Sequence, residues 1–155
     1  MLIDAGADKL LSKANYKGYT PLHEAARKGK TKLALRYVKM GADINAVDIH
    51  GNRAAILAHA FGYPKLAKKL GPLNRAELAE SQKIQNIEII KEGAKQIAID
   101  MAAAENRSVT KSEMKNASKA ALDVYLQNLD SGKTFGKLQT QALKAASESL
   151  TAGVQ

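Results

Sequence analysis

Apolar positions fall in short clusters at helical spacing through the first half of the chain and in long stripes through the second. The first cluster is Leu22, Ala25 and Ala26, closed by Gly29. This spacing predicts a short helix with a small-residue face that lets a neighbouring helix approach closely. Leu33, Leu35 and Val38 then give the apolar side of a second helix, closed by Gly41. The segment "ADINAVDIHG" follows with no helical period and reads as an extended finger leading into the next turn. The local chemistry agrees. Gly18 stands where a tight turn needs a positive φ. Thr20 is placed to cap the first helix, and Pro21 takes its first position, where no backbone N–H is needed. Thr31 is expected to cap the second helix. The predicted unit is turn, helix, turn, helix, finger.

The unit recurs. Aligning "NYKGYTPLHEAARKGKTKLALRYVKMGADINAV" with "DIHGNRAAILAHAFGYPKLAKKLG" brings Asn15 to Asp48, Gly18 to Gly51 and Gly29 to Gly62, each 33 residues apart. A fixed period of this size is the signature of stacked helical repeats. A fainter echo sets "LIDAGADKLLSKANYKG" against "YVKMGADINAVDIHG", pairing Gly6 with Gly41.

"GYTPLHEAARKG", followed at the right distance by "KMGADINAVDIHG", resembles the ankyrin repeat. The resemblance covers about residues 1–72: the tail of one repeat, one full repeat and one weaker repeat. The weaker one carries Arg53, Ala54, Ala55 and Ile56 where the full one carries Thr20, Pro21, Leu22 and His23, and its second helix stops early at "KKLGP". That pattern fits a terminal repeat whose outer face meets something other than a further repeat. Residues 1–8 match only the end of a unit, and a solenoid needs about three repeats. The reading is therefore the C-terminal end of a longer repeat array. The resemblance also implies a structural role for His23, hydrogen-bonded between neighbouring turns.

The second half follows another rule. Asn74 and Glu77 form a capping box that opens a helix running to about Asn106. Ile87, Ile90, Ala94, Ile97 and Met101 recur at alternating spacings of three and four, which predicts one buried stripe. Thr110 to Glu113, "TKSE", is a second capping box. The helix it opens carries Met114, Ala117, Ala121 and Tyr125 on one side and is expected to stop at Gly132. A last helix, about Thr134 to Ala152, shows Phe135, Leu138, Ala142 and Ala145, and "TAGVQ" is expected to fray. Short connections predict antiparallel packing. The fold class is thus all-α: an ankyrin-type solenoid end, residues 1–72, packed against a three-helix segment, residues 73–155.

Charge sharpens the picture. The net charge is +9. Residues 1–73 hold thirteen lysines and arginines against five acids, and residues 74–155 hold eleven against ten. The positive field belongs to the first half, and a basic face favours an acidic protein, a nucleic acid or an anionic lipid. No cysteine occurs, which excludes disulfides and thiolate metal sites and fits a reducing compartment such as cytoplasm. No apolar run is long enough to span a membrane. The opening "MLIDAGADKL" lacks a basic start and puts Asp4 and Asp8 where a leader would be apolar.

Catalytic and cofactor chemistry finds no support in the motifs. The three histidines, His23, His50 and His59, are scattered, with no ligand spacing among them for a metal. "DSGKTFG", Asp130 to Gly136, echoes a phosphate loop, but a helix precedes it and Gln127 stands where the motif needs glycine. Glu88, Glu92 and Asp100 lie among lysines, which reads as i,i+4 pairing on a helix surface. The polar face of that helix is mixed in sign, which favours a core helix over one lying on a membrane. We expect no enzyme, no metal and no cofactor.

What remains is a gripping surface. In ankyrin proteins binding commonly uses finger tips and the exposed side of the first helices. Carried over by position, the resemblance implies Tyr16, Lys17, Tyr19, Arg27, Lys28 and Met40 from the full repeat. From the next it implies Ile49, His50, Asn52, Ala60 and Phe61. Tyr19 and Arg27 are expected to dominate, since tyrosine and arginine are enriched among energetically important interface residues. The expected function is protein–protein recognition toward an acidic partner. Two rival readings stand beside it: a basic surface for nucleic acid or anionic lipid, and a non-catalytic piece of a larger enzyme. Ankyrin repeats also occur in proteins that intracellular bacteria deliver into host cells, which keeps an effector role and a host-cytoplasm location open by analogy.

Overall fold

The computed structural model describes residues 5–152. The reading of Met1 and Asp4 and the fraying expected at Gly153–Gln155 lie outside them. Among the described residues the chain is all-α, with eight helices and a single isolated bridge between Val47 and Arg53. It forms two compact units, residues 1–85 and 86–155.

The first unit contains α1 (Ala5–Ser12), α2 (Pro21–Arg27), α3 (Thr31–Lys39), α4 (Ala54–Ala60), α5 (Pro64–Leu70) and the opening turns of α6 (Arg75–Ala104). The 33-residue period survives in three dimensions. Helices α2 and α4 begin and end 33 positions apart, and α3 and α5 begin 33 apart, α5 being two residues shorter. The turns match bond for bond. The Asn15 side-chain oxygen accepts from the N–H groups of Lys17 and Tyr19 at 2.9 and 3.0 Å. The Asp48 Oδ1 accepts from those of His50 and Asn52 at 2.8 and 2.9 Å. In each, the glycine three residues on donates back to the Asx carbonyl, at 2.8 Å for Gly18 and 3.0 Å for Gly51. Gly18 has φ 73°, and a Cβ there would lie 2.8 Å from the Ile49 nitrogen of the neighbouring turn. Glycine is required at that position both by conformation and by the closeness of the next backbone.

Helix α2 is held at its start by a capping box built on histidine. The Thr20 hydroxyl accepts from the His23 N–H at 3.5 Å, and His23 Nδ1 lies 3.2 Å from the Thr20 nitrogen and 2.8 Å from its Oγ1. The opposite ring nitrogen, Nε2, meets the carbonyl of Asn52 at 3.0 Å. A carbonyl only accepts, so the proton sits on Nε2 and Nδ1 is the acceptor from Thr20. His23 therefore ties one turn to the next, as the resemblance implied. The core of the unit is Leu22, Ala25, Ala26, Ala34, Ala54, Ala55, Ala58, Leu66, Ala67 and Leu70, with Leu11 of α1 added. Alanine at the helix contacts permits the close approach that leucine would block.

Two expectations at the start of the unit are corrected. Thr31 is the first residue of α3, not its cap; Lys30 occupies the cap without a side-chain bond. Gly6 is not a counterpart of Gly41. It lies within α1, whereas Gly41 has φ 97° beyond the end of α3. The sequence "ADKLLS" favours helix, while "ADINAV" carries a β-branched residue and an Asx side chain that compete with it.

Where the weaker repeat loses its Thr-Pro-Leu-His motif, it gains contacts to the start of α6. Arg53 caps α4 without a side-chain bond to it and instead places Nε 2.8 Å from Glu77 Oε1. His59 Nδ1 lies 3.0 Å from the fully buried Ser81 hydroxyl. The Asn74–Glu77 capping box is present, with both bonds at 2.9 Å. The end of the repeat pair is thus covered by a helix of different character.

The second unit is formed by the remainder of α6 with α7 (Lys111–Gln127) and α8 (Phe135–Thr151). Its core is Ile90, Ala94, Ala98, Ala117, Ala121, Tyr125, Leu138, Ala142 and Ala146. Tyr125, near the end of α7, receives a bond from Asn86 Nδ2 at 3.3 Å and meets the Phe135 ring edge-on at 6.2 Å. These contacts place the end of α7 beside the starts of the other two segments, an up-down-up arrangement. The buried stripe of α6 runs Ile90, Ala94, Ala98, Ala102 rather than through Ile97 and Met101, which are partly exposed. Ala146 likewise replaces Ala145 in the core of α8. In α6 the tightest seam selects alanine over the larger neighbour, whereas in α8 the buried face is turned by one residue. α7 ends at Asn128, whose amide donates to the Val124 carbonyl at 2.9 Å, before Gly132 is reached.

Candidate functional site

The residues expected to bind a partner separate into two groups. The first is the row of finger tips. The Ile49 N–H donates to the Lys17 carbonyl at 3.2 Å, which locks neighbouring fingers side by side. On this fixed backbone Tyr16 is 86% and Ile49 65% exposed, and Lys17 Nζ lies 5.7 Å from the centre of the Tyr16 ring. His50 is also exposed. Val47, which the sequence reading did not single out, is 55% exposed in the same finger. Large apolar side chains held outward on a rigid turn are the feature that carries the site.

The second group lies at the ends of α2 and α4. The Arg27 guanidinium stands 5.7 Å from the centre of the Phe61 ring and bonds Glu24 at 3.1 Å. Lys28 Nζ lies 3.6 Å from the same carboxylate. Burial pushes the Glu24 carboxyl up, but the bond and charge of Arg27, with Lys28, outweigh it and leave the group below its ordinary range. The Tyr63 ring fills the space that a Cβ on Gly29 would need.

Four expected residues are placed differently. Asn52 is 4% exposed; its N–H donates to Asp48 within its own turn and its carbonyl meets His23 of the neighbouring one, so it builds the finger and offers no surface. Ala60 is buried in α4. Tyr19 is half-buried and stacked on the His23 ring at 5.9 Å. Met40 caps α3 and is 37% exposed, on an element that contributes nothing else to either group. Asn52 is buried because its carbonyl faces His23, a partner 29 residues away that the spacing of the turn alone does not reveal.

The family model of the ankyrin repeat matches residues 17–49. The chain carries an ankyrin repeat there. This matched repeat holds Tyr16's neighbour Lys17, the whole α2–α3 hairpin and the finger to Ile49. Ankyrin repeats are typically non-catalytic interaction modules, and the row of finger tips is built on this one. No curated protein and no solved structure matches the chain.

Other candidate chemistry lies elsewhere. Glu88 and Glu92 pair with Lys91 and Lys95 at 3.0 and 2.5 Å, three residues on rather than four. Asp100 accepts from Gln96 Nε2 at 2.8 Å. Within "DSGKTFG", Thr134 is the N-cap of α8, and the Lys133 Nζ reaches Gln141 at 3.2 Å. Among the described residues no three His, Cys, Asp or Glu side chains converge as a metal site would need, and no helix is long and apolar enough to cross a membrane.

Proposed function

We propose that the finger-tip row of Tyr16, Lys17, Val47, Ile49 and His50 recognises another protein, and that the chain works as a non-catalytic adaptor. One observation carries this reading: apolar and basic side chains project from two turns that side-chain, backbone and inter-turn bonds all fix. A preformed surface loses little conformational entropy on docking. The partner's matching face is apolar at its centre and acidic at its margin, facing Lys17, Arg27 and Lys28.

The test uses Tyr16→Ala together with Ile49→Ala. Both side chains are largely exposed, so the helical circular-dichroism spectrum should not change. Proteins captured by the wild-type chain, identified by mass spectrometry and then titrated singly, should bind the double variant at least tenfold more weakly, about 1.4 kcal/mol. A capture set and affinities unchanged by the substitutions would remove the site from these fingers.

The concentration of positive charge in residues 1–73 supports a second reading, a polyanion surface. Phosphate-driven binding falls steeply with salt, because each neutralised phosphate releases counterions. Titration of duplex RNA or DNA at two salt concentrations separates the readings: the protein interface, with its apolar centre, loses far less.

A further inference from the structure

Outside the fingers, the second unit carries an open groove of about 540 Å³ between α6 and α7. Its floor is apolar, formed by Met114, Leu122 and Leu126, the last 46% exposed. Its rim is basic on both sides: Lys91 and Lys95 from α6, and Lys111, Lys115 and Lys119 from α7. The two α6 lysines pair with Glu88 and Glu92 of their own helix. The three α7 lysines are exposed and have no ion-pair partner among the described residues. Spaced four apart, they form one row along the helix. Asp123 is the one acid among the lining residues. Ser118 adds a buried Oγ with no hydrogen-bond partner among the described residues.

We propose that this groove docks an acidic amphipathic helix of a partner protein. Three observations select that occupant. The lysines do not converge on one point, as a single phosphate or headgroup would require; Lys111 and Lys119 are eight residues apart, about 12 Å along the helix. The floor continues to Leu126, so the groove runs about 22 Å, the length of a helix of roughly fifteen residues. Basic rows on both walls with an apolar floor between them complement a helix that carries leucines on one face and carboxylates on both flanks. This surface is independent of the finger-tip reading, and either can fail alone.

The probe is a fluorescein-labelled synthetic peptide of about sixteen residues, with leucines at i, i+3, i+4 and i+7 spacing and glutamates on both flanks. It is titrated by anisotropy against the full chain. A scrambled peptide of the same composition should bind at least tenfold more weakly. Lys111→Gln, Lys115→Gln and Lys119→Gln combined should weaken the ordered peptide at least tenfold. Leu126→Gln alone should weaken it several-fold and still decides the matter should the triple variant misfold. Tyr16→Ala with Ile49→Ala should leave it unchanged. Equal binding of ordered and scrambled peptides overturns the proposal, as does an affinity insensitive to both the lysines and Leu126. So does lysine-dependent binding to phosphatidylserine vesicles without binding of the peptide, which would make the groove a lipid surface.

Discussion

Asp48 shows how much one side chain can carry in a repeat of this size. It is buried, and its Oδ1 accepts from two backbone N–H groups, those of His50 and Asn52. Asn52 in turn receives the Asp48 N–H and presents its carbonyl to His23. Removing the carboxylate leaves the buried Asn52 N–H and the part-buried His50 N–H without acceptors, and a buried loss of this kind costs about 1–3 kcal/mol. Asp48→Ala should therefore destabilise the chain by about 2–3 kcal/mol in urea unfolding. Asp48→Asn keeps an acceptor in place and should lose less than half as much. The equivalent Asn15→Ala lies at an exposed turn and should cost well under the Asp48→Ala value, since water can replace the lost acceptor. Equal losses at Asp48 and Asn15 would show that the inter-turn network is not what holds the fingers.

At the scale of the element, the caps at Thr20, Asn74 and Thr110 were legible because they are local, while the box that His23 completes with Thr20 was not. The seams were not, because which face of α6 or α8 is buried depends on helices far away in sequence. A hydrophobicity pattern ranks Ile97 above Ala98, yet close packing selects the alanine. The α7 cap also makes a pH prediction. Glu113 accepts from Arg107, from the Thr110 N–H and from the Thr110 hydroxyl, and these hold its carboxyl down at about 2. A depressed folded pKa means the cap's contribution is complete above the unfolded value near 4.5 and is lost as the pH falls toward 2. Glu113→Gln should lower the melting temperature at pH 7 and have little effect at pH 2. A melting difference that persists unchanged to pH 2 would assign the effect to packing instead of charge.

For the whole molecule, the repeat pattern ends near residue 72 but the first compact unit extends to Gln85. No glycine or proline marks that limit, since it falls inside the continuous helix α6. The sequence shows where a pattern stops; it does not show which neighbouring residues complete the fold. Here the completing residues are specific. Glu77 meets Arg53, and Ser81, fully buried, meets His59. Arg53 also draws the Glu77 carboxyl below its ordinary range, helped by the Asn74 N–H. A fragment of residues 1–72 lacks both partners and uncovers Arg53 and His59 of the α4 hairpin, which the start of α6 meets. Two repeats of this length are also close to the lower limit at which a core sustains itself. Residues 1–72 should consequently aggregate or melt without a cooperative transition, whereas residues 1–85 should melt cooperatively. Glu77→Ala within 1–85 should move that fragment part of the way toward the shorter one. A soluble 1–72 fragment with the same cooperative melt as 1–85 would mean the repeats need no cover, and that Arg53 and His59 are surface residues that happen to have neighbours.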